Sequence, residues 1–278
     1  MSAAAALVCG VALYEFSGSL ESYMDGWHGG PGDHSSALLT LMPGTAMAAW
    51  YFSRPGRPRW PAVLLWALVA IFFASAYTTL NRTIWGGLAI EFALIGFLVL
   101  ARARARLAAI AVTLVVMAGC GAMMLNIQAQ REALGGTSMQ RDHRLELWPQ
   151  VLERIEERPL TGYGFGRGIL RAALQKEFSS LDIHLWHAHN IFLEALIQAG
   201  APALVMLLFL LGAIAREGWR LARAADEAAA ACGIALLAVL AGMLARNMTD
   251  MLLVRQNALL FWGMSGVLMG MGRRSLRA

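Results

Sequence analysis

Charge is scarce in this 278-residue chain. Asp, Glu, Lys and Arg make up 15% of it while 58% is hydrophobic and mean hydropathy is +0.54, against roughly 25% charged residues in soluble domains. So few charges cannot cover the surface of a water-soluble protein of this length, and the membrane class is what remains. Cysteine is scarce too. Cys9, Cys120 and Cys232 are odd in number, widely separated and each inside an apolar run, which excludes a disulfide framework and marks them as small buried residues. Lysine occurs once, so the pI near 9.6 rests on 22 arginines spread in short clusters. That distribution lacks the single basic stripe of a nucleic-acid binder, and no nucleic-acid partner is expected. An internal repeat, common in two-halved transporters, is also missing.

What the chain has is apolar runs. Seven are long enough for a helix to cross the hydrocarbon core, which takes about 20 residues: Ser36–Ser53, Pro61–Thr79, Thr83–Ala101, Leu107–Ile127, Asn190–Ala215, Ala228–Leu244 and Met251–Met271. An eighth, Ala3–Phe16, is short and has neither the basic flank nor the cleavage site of a signal peptide. It reads as the remainder of a span, so further upstream sequence is expected. The fold class is therefore all-α: a polytopic integral membrane helix bundle of about seven to eight spans with one long, partly helical loop. Residues 1–127 form amino-terminal membrane helices, 128–188 the loop with amphipathic helices, and 189–278 carboxy-terminal membrane helices.

Alternating spans sort the loops into two sets, and the arginines choose between them. Arg54, Arg57 and Arg59; Arg102, Arg104 and Arg106; Arg216, Arg220 and Arg223; and Arg273, Arg274 and Arg277 all fall on one face, the cytoplasmic one by the positive-inside rule. The other face receives SGSLESYMDGWHGGPGDHS, the turn at Asn81–Thr83, the stretch Gln128–His189 and RNMTD at Arg246–Asp250. HAHN, residues 187–190, is thus expected on the extracytoplasmic side. In the long loop, with eight basic and eight acidic residues, Trp148, Val151, Leu152 and Ile155 fall at helical spacing and predict one apolar helix face. Pro159 and Gly162 end that helix. Leu170, Leu174 and Phe178 predict a second amphipathic stretch; the pair either lies on the membrane surface or covers a site.

Ionisable residues at membrane depth are costly and point to function. Arg82 stands where two spans meet, Arg255 about a turn inside the last span, and Glu91 near the middle of its span, where it reads as a hydrogen-bonding residue between helices. Arg82 and Arg255 share the outer face with Arg144, His189 and Asp250. Guanidinium forks match phosphate oxygens, so this set suits an anionic head group such as a lipid diphosphate. A histidine beside it is able to take a proton from a hydroxyl near neutral pH. GYGFGRG, Gly162–Gly168, follows no strand and reads as a flexible turn. His184, His187 and His189 have the makings of a zinc site, but no paired carboxylate or HExxH helix accompanies them, and no metal is expected.

These stretches resemble the O-antigen ligases and O-antigen polymerases, membrane glycosyltransferases that use polyprenyl-diphosphate-linked glycans. The likeness rests on His189, Asn190 and, after nine intervening residues, Gly200; on RLELW followed by PLTGYGFG; on TTLNRTIWGG; and on NMTDMLLVRQNALLFW, which carries Asp250. Two positions depart from the pattern: Asn81 stands where Ser is common, and Ala201-Pro202 leads to Ala203. The resemblance implies that Arg82 and Arg144 contact the donor diphosphate and that His189 is the catalytic or acceptor-orienting histidine. Asn190, Asp250, Arg255 and His187 would support them. Arg82, Arg144 and His189 are then expected to converge in one outer cavity and to transfer glycan with inversion, with no cofactor. The implied partners are the lipid-linked glycan donor, membrane lipids, and an acceptor that is lipid A core, a second glycan or a protein. A transporter of anionic lipid-linked glycans is the alternative outside enzymes.

Overall fold

The computed structural model describes residues 32–133, 144–166, 168–174, 187–251, 253 and 255–277. Among them are nine helices and no strand: α1 Gly32–Phe52, α2 Trp60–Thr78, α3 Arg82–Arg102, α4 Arg106–Ala133, α5 Arg144–Glu157, α6 Ile169–Ala173, α7 Ile191–Ala222, α8 Glu227–Asn247 and α9 Arg255–Ser275. Helices satisfy their own backbone groups, which hydrocarbon surroundings demand. Five of them, α2, α3, α4, α7 and α8, are long and apolar enough to cross a membrane. Helices α1 and α9, 21 residues each, stand where the other two spans were expected without joining those five. The chain is a multi-pass helical membrane protein.

It divides into two compact units. The first holds α1 to α4, α7 from Ile214, α8 to Ala245, and α9. Helix α8 is mostly buried and α4 mostly exposed. The outward side chains of α4 include Leu107, Ile110, Leu114, Val115 and Leu125, an apolar surface that suits lipid and not water. Leu38, Leu39, Met42, Phe72, Ile84, Leu88 and Phe261 form the interior. Asn81 starts α3 by accepting from the Thr83 N–H at 3.1 Å, an N-cap that ends the turn after α2. Arg102 donates to the carbonyls of Ala222 and Ala224 at 2.7 and 3.0 Å, capping the end of α7. Glu91 departs from its expected role: it is fully buried, and among the described residues neither carboxyl oxygen has a hydrogen-bond partner. It packs against Gly242, which has no hydrogen-bonding side chain to offer.

The second unit holds α5, α6, the first part of α7 and the segment from Arg246. Its core is Leu147, Val151 and Ile155 of α5 with Leu170, Leu174, Ala188 and Ile197. The expected apolar face is thus present but rotated: Leu147 is fully buried while Leu152 is 47% exposed, because residues four apart form the straighter line along a helix. Leu170 and Leu174 are buried as expected on either end of the short α6. Phe178 lies outside the described residues.

Helix α7 is broken at Ala199 and Gly200, where Gly200 takes φ 70° and ψ −167°, a conformation open essentially to glycine alone. The break frees carbonyls and an N–H, and the loop after α5 satisfies them. Tyr163 N donates to Ile197 O and Gly164 N to Gln198 O, both at 2.9 Å, while Ala201 N donates to Pro159 O at 2.7 Å. Pro202 has no N–H to satisfy. Tyr163 and Gly164, at the start of GYGFGRG, are therefore an anchored backbone clamp and not a free turn. A Cβ on Gly162 would stand 2.6 Å from the Ala199 nitrogen, so glycine is required on both sides of the contact.

Candidate functional site

The second unit sets two histidines beside a carboxylate, and the residue between them is held from both directions. Glu194 Oε2 accepts from Ala188 N at 2.7 Å, and Trp148 Nε1 donates to Ala188 O at 2.9 Å. Gln198 in turn holds Glu194 through a 2.6 Å bond to Oε1. With both backbone groups of Ala188 fixed, the directions of His187 and His189 are set by helices α5 and α7. His189 has φ 50°; a non-glycine residue there carries strain and commonly marks a functional site.

Asn190 ends this segment and begins α7. Its Oδ1 accepts from Phe192 N at 2.9 Å and Leu193 N at 3.2 Å, an N-cap, and its Nδ2 donates to Met248 O at 3.2 Å. The last bond ties HAHN to RNMTD, 58 residues later, and brings Asp250 to the histidines. Asp250 Oδ1 lies 3.3 Å from His189 Nδ1 and 3.8 Å from His187 Nε2. The first contact is an ion-pair distance without hydrogen-bond alignment. Asp250 Oδ2 accepts from Arg246 Nη2 at 3.0 Å, and Oδ1 accepts from Met251 N at 2.9 Å. Burial opposes ionisation of Asp250, but His189, Arg246 and the Met251 N–H outweigh it and hold the carboxyl well below the usual carboxylate range.

The two imidazoles are 4.2 Å apart, centre to centre. His187 Nδ1 accepts the His189 N–H at 3.2 Å, so its ring proton belongs on Nε2, toward Asp250. Burial, helped by the charges of His189 and Arg144, pushes His187 down to about 4 against the pull of Asp250. It is neutral at physiological pH.

His187, His189 and Asp250 could also hold a metal ion, since one donor atom from each lies within 4.8 Å of the others. The surrounding bonds fit that poorly. The lone pair of His187 Nδ1 is engaged by a backbone N–H, which leaves a proton and not a lone pair on Nε2, and Asp250 is already neutralised by Arg246. His184, the third member of the suggested zinc set, lies outside the described residues.

Of the residues expected from sequence, the second unit thus gathers His187, His189, Asn190 and Asp250, with Arg144, the first residue of α5, in electrostatic range of His187. Arg82 belongs to the first unit, where it opens α3 and donates to Gln128 Oε1 at 2.5 Å. Arg255 opens α9, and its side chain lies outside the described residues. Sequence reasoning missed three residues. Trp148 and Glu194 orient the histidine segment, and Arg246 sits one helical turn before Asp250. That i, i+4 spacing of opposite charges was the available signal for Arg246; nothing marked the other two.

The sequence pattern described as O-Antigen ligase matches residues 66–208, just over half of the chain. A General O-oligosaccharyltransferase of Acinetobacter baylyi is 39% identical over 59 residues, 20% of this chain and 10% of that relative. The chain thus spans about a tenth of the length of that curated relative.

Proposed function

The chain belongs to the O-antigen ligase family, and from that premise we propose that it is a membrane glycosyltransferase moving a glycan from a polyprenyl-diphosphate carrier to an acceptor hydroxyl, on the periplasmic face of the bacterial inner membrane. One observation carries the reading. His189 stands 3.3 Å from an ionised, largely buried Asp250, in a segment pinned on both sides of Ala188.

A carboxylate facing Nδ1 favours the proton there and leaves the Nε2 lone pair free to act as a base. His189 Nε2 takes the acceptor hydroxyl proton as that oxygen bonds to the anomeric carbon, and the bond from that carbon to the diphosphate oxygen breaks. The proton remains on an imidazolium that Asp250 stabilises, and the diphosphate leaves with the electron pair. Attack opposite the leaving group inverts the anomeric carbon. Arg144 would hold the diphosphate, where negative charge grows in the transition state, and Arg82 keeps the donor-contacting role that the resemblance implies. His187, neutral beside His189, adds no competing positive charge.

Lipid A core is the acceptor this reading favours. A protein hydroxyl is the second choice, supported by the name of the A. baylyi relative. Purified chain in liposomes with a defined lipid-linked glycan and either acceptor tests both. Transfer with diphosphate release is expected. Binding and passage of the donor without transfer would make the protein a transporter instead.

A further inference from the structure

The four arginine clusters meet at one end of the first unit. Arg54, after α1, donates to Glu227 of α8 at 2.9 Å. Arg273 of α9 donates to Glu217 of α7 at 2.6 Å, and Arg102, closing α3, reaches the carbonyls of Ala222 and Ala224. Twelve arginines stand there against three carboxylates, Glu217, Asp226 and Glu227. All three carboxylates are engaged. Glu227 takes Arg54 and lies 3.9 Å from Arg57, Glu217 pairs with Arg220 and Arg273, and Asp226 accepts from Ser275 Oγ and Ala229 N. Most of the positive excess stays uncovered, and a surface of that sign draws anions.

Part of the excess adjoins an apolar track. The bonds of Arg102 set the turn between α3 and α4, which carries Arg104 and leads into Arg106, against the end of α7, which is followed by Arg223. Among the described residues these three exposed guanidiniums meet no carboxylate. Arg223 lies over the Trp219 ring, and Arg104 takes φ 60°, a left-handed conformation uncommon for residues other than glycine. Immediately after Arg106 come Leu107, Ile110 and Leu114, all outward and exposed on α4. Tryptophans mark the level of the head groups: Trp60 is 68% exposed and Trp219 50%, as in the aromatic belts at membrane interfaces. A ligand that fits both parts is an amphiphile, with a phosphate for the guanidinium forks and hydrocarbon for the leucines. This end lies one length of α3 from Arg82, about 30 Å for its 21 residues, and so apart from the residue given to the glycan donor.

We propose that Arg104, Arg106 and Arg223 form a binding site for an anionic phospholipid, whose phosphodiester accepts from the guanidiniums while an acyl chain lies along Leu107, Ile110 and Leu114. The site is independent of glycan transfer. A lipid held there joins the α3–α4 pair to the end of α7 and adds negative charge where the protein has least of it.

The immobilised fraction of spin-labelled phosphatidylglycerol, against spin-labelled phosphatidylcholine, around the full chain in vesicles tests the assignment. Wild type should favour phosphatidylglycerol at least about fivefold, the worth of one basic residue at an anionic surface. A variant with Arg104→Gln, Arg106→Gln and Arg223→Gln should lose that preference. A second variant with Arg59→Gln, Arg274→Gln and Arg277→Gln removes as many charges from the same end and should keep it. Equal losses in the two would mean a diffuse positive field without a site, and would overturn the proposal. Should the first variant fail to fold, Arg223→Gln against Arg59→Gln decides: a loss in Arg223→Gln alone supports the site, and equal behaviour refutes it. Displacement of the labelled lipid by soluble glycerol phosphate at millimolar concentration would make this a site for a soluble phosphate and overturn the lipid assignment. A wild type that holds both lipids equally would remove the proposal and leave the transfer reading untouched.

Discussion

Gly200→Ala attacks the clamp on which the site is built. At φ 70° and ψ −167° an alanine costs on the order of 1 to 3 kcal/mol in backbone strain. Its Cβ would also stand 2.5 Å from Leu160 O and 2.8 Å from Pro159 O, so the loop must withdraw. Withdrawal breaks the bonds from Tyr163 N, Gly164 N and Ala201 N, each a net of about 0.5 to 1.5 kcal/mol. The combined destabilisation is about 3 to 7 kcal/mol, enough to lower the melting temperature of a chain this size by at least about 6 °C. Thermal unfolding in detergent measures it. Gly212→Ala is the control, since a Cβ there meets nothing within 4 Å, and a helical alanine is neutral or mildly stabilising. Were Gly200→Ala to melt within about 2 °C of the wild type, well inside that estimate, the clamp would not hold the broken helix.

Three further outcomes are expected. His187 sits at about 4 when folded, against 6.5 without its surroundings, so the unfolded chain takes up a proton between pH 6.5 and 4 that the folded chain refuses. Stability is fully present above 6.5 and falls as pH drops through that window; His187→Gln should flatten the melting temperature there, and an unchanged slope refutes the assignment. Trp148→Phe removes the bond to Ala188 O, at about 1 kcal/mol, and should lower transfer more than it lowers donor binding; equal losses in both would mean that Trp148 does not aim the histidines. Transfer should persist in excess chelator, whereas loss with rescue by zinc, dependent on His184 and His187, would establish the metal arrangement.

The helices were legible because a membrane leaves the chain few choices: long apolar runs with arginines at their ends read directly as spans. His189, Asn190, Gly200 and PLTGYGFG were legible as a resemblance, and the structure supplies the physical reason for the glycines, which let a loop reach the backbone of a broken helix. What stayed hidden depends on tertiary pairing. Gly162 read as part of a flexible turn, since nothing local announces that its partner is a helix break 38 positions away. Trp148 read only as part of an apolar face, though its indole N–H holds the histidine segment. Glu91 looked like a hydrogen-bonding residue because a carboxyl in a span needs a partner, yet the residue opposite it is Gly242.

The central claim is that His189 performs chemistry and the arginines perform binding, and one measurement divides the two. Donor binding and glycan turnover are determined on the same folded His189→Ala protein in lipid. Transfer should fall by about 10²- to 10⁴-fold, the usual worth of a positioned base, while donor affinity stays near the wild-type value. Transfer at the wild-type rate would contradict the account, because the histidine beside Asp250 would then have no part in the reaction.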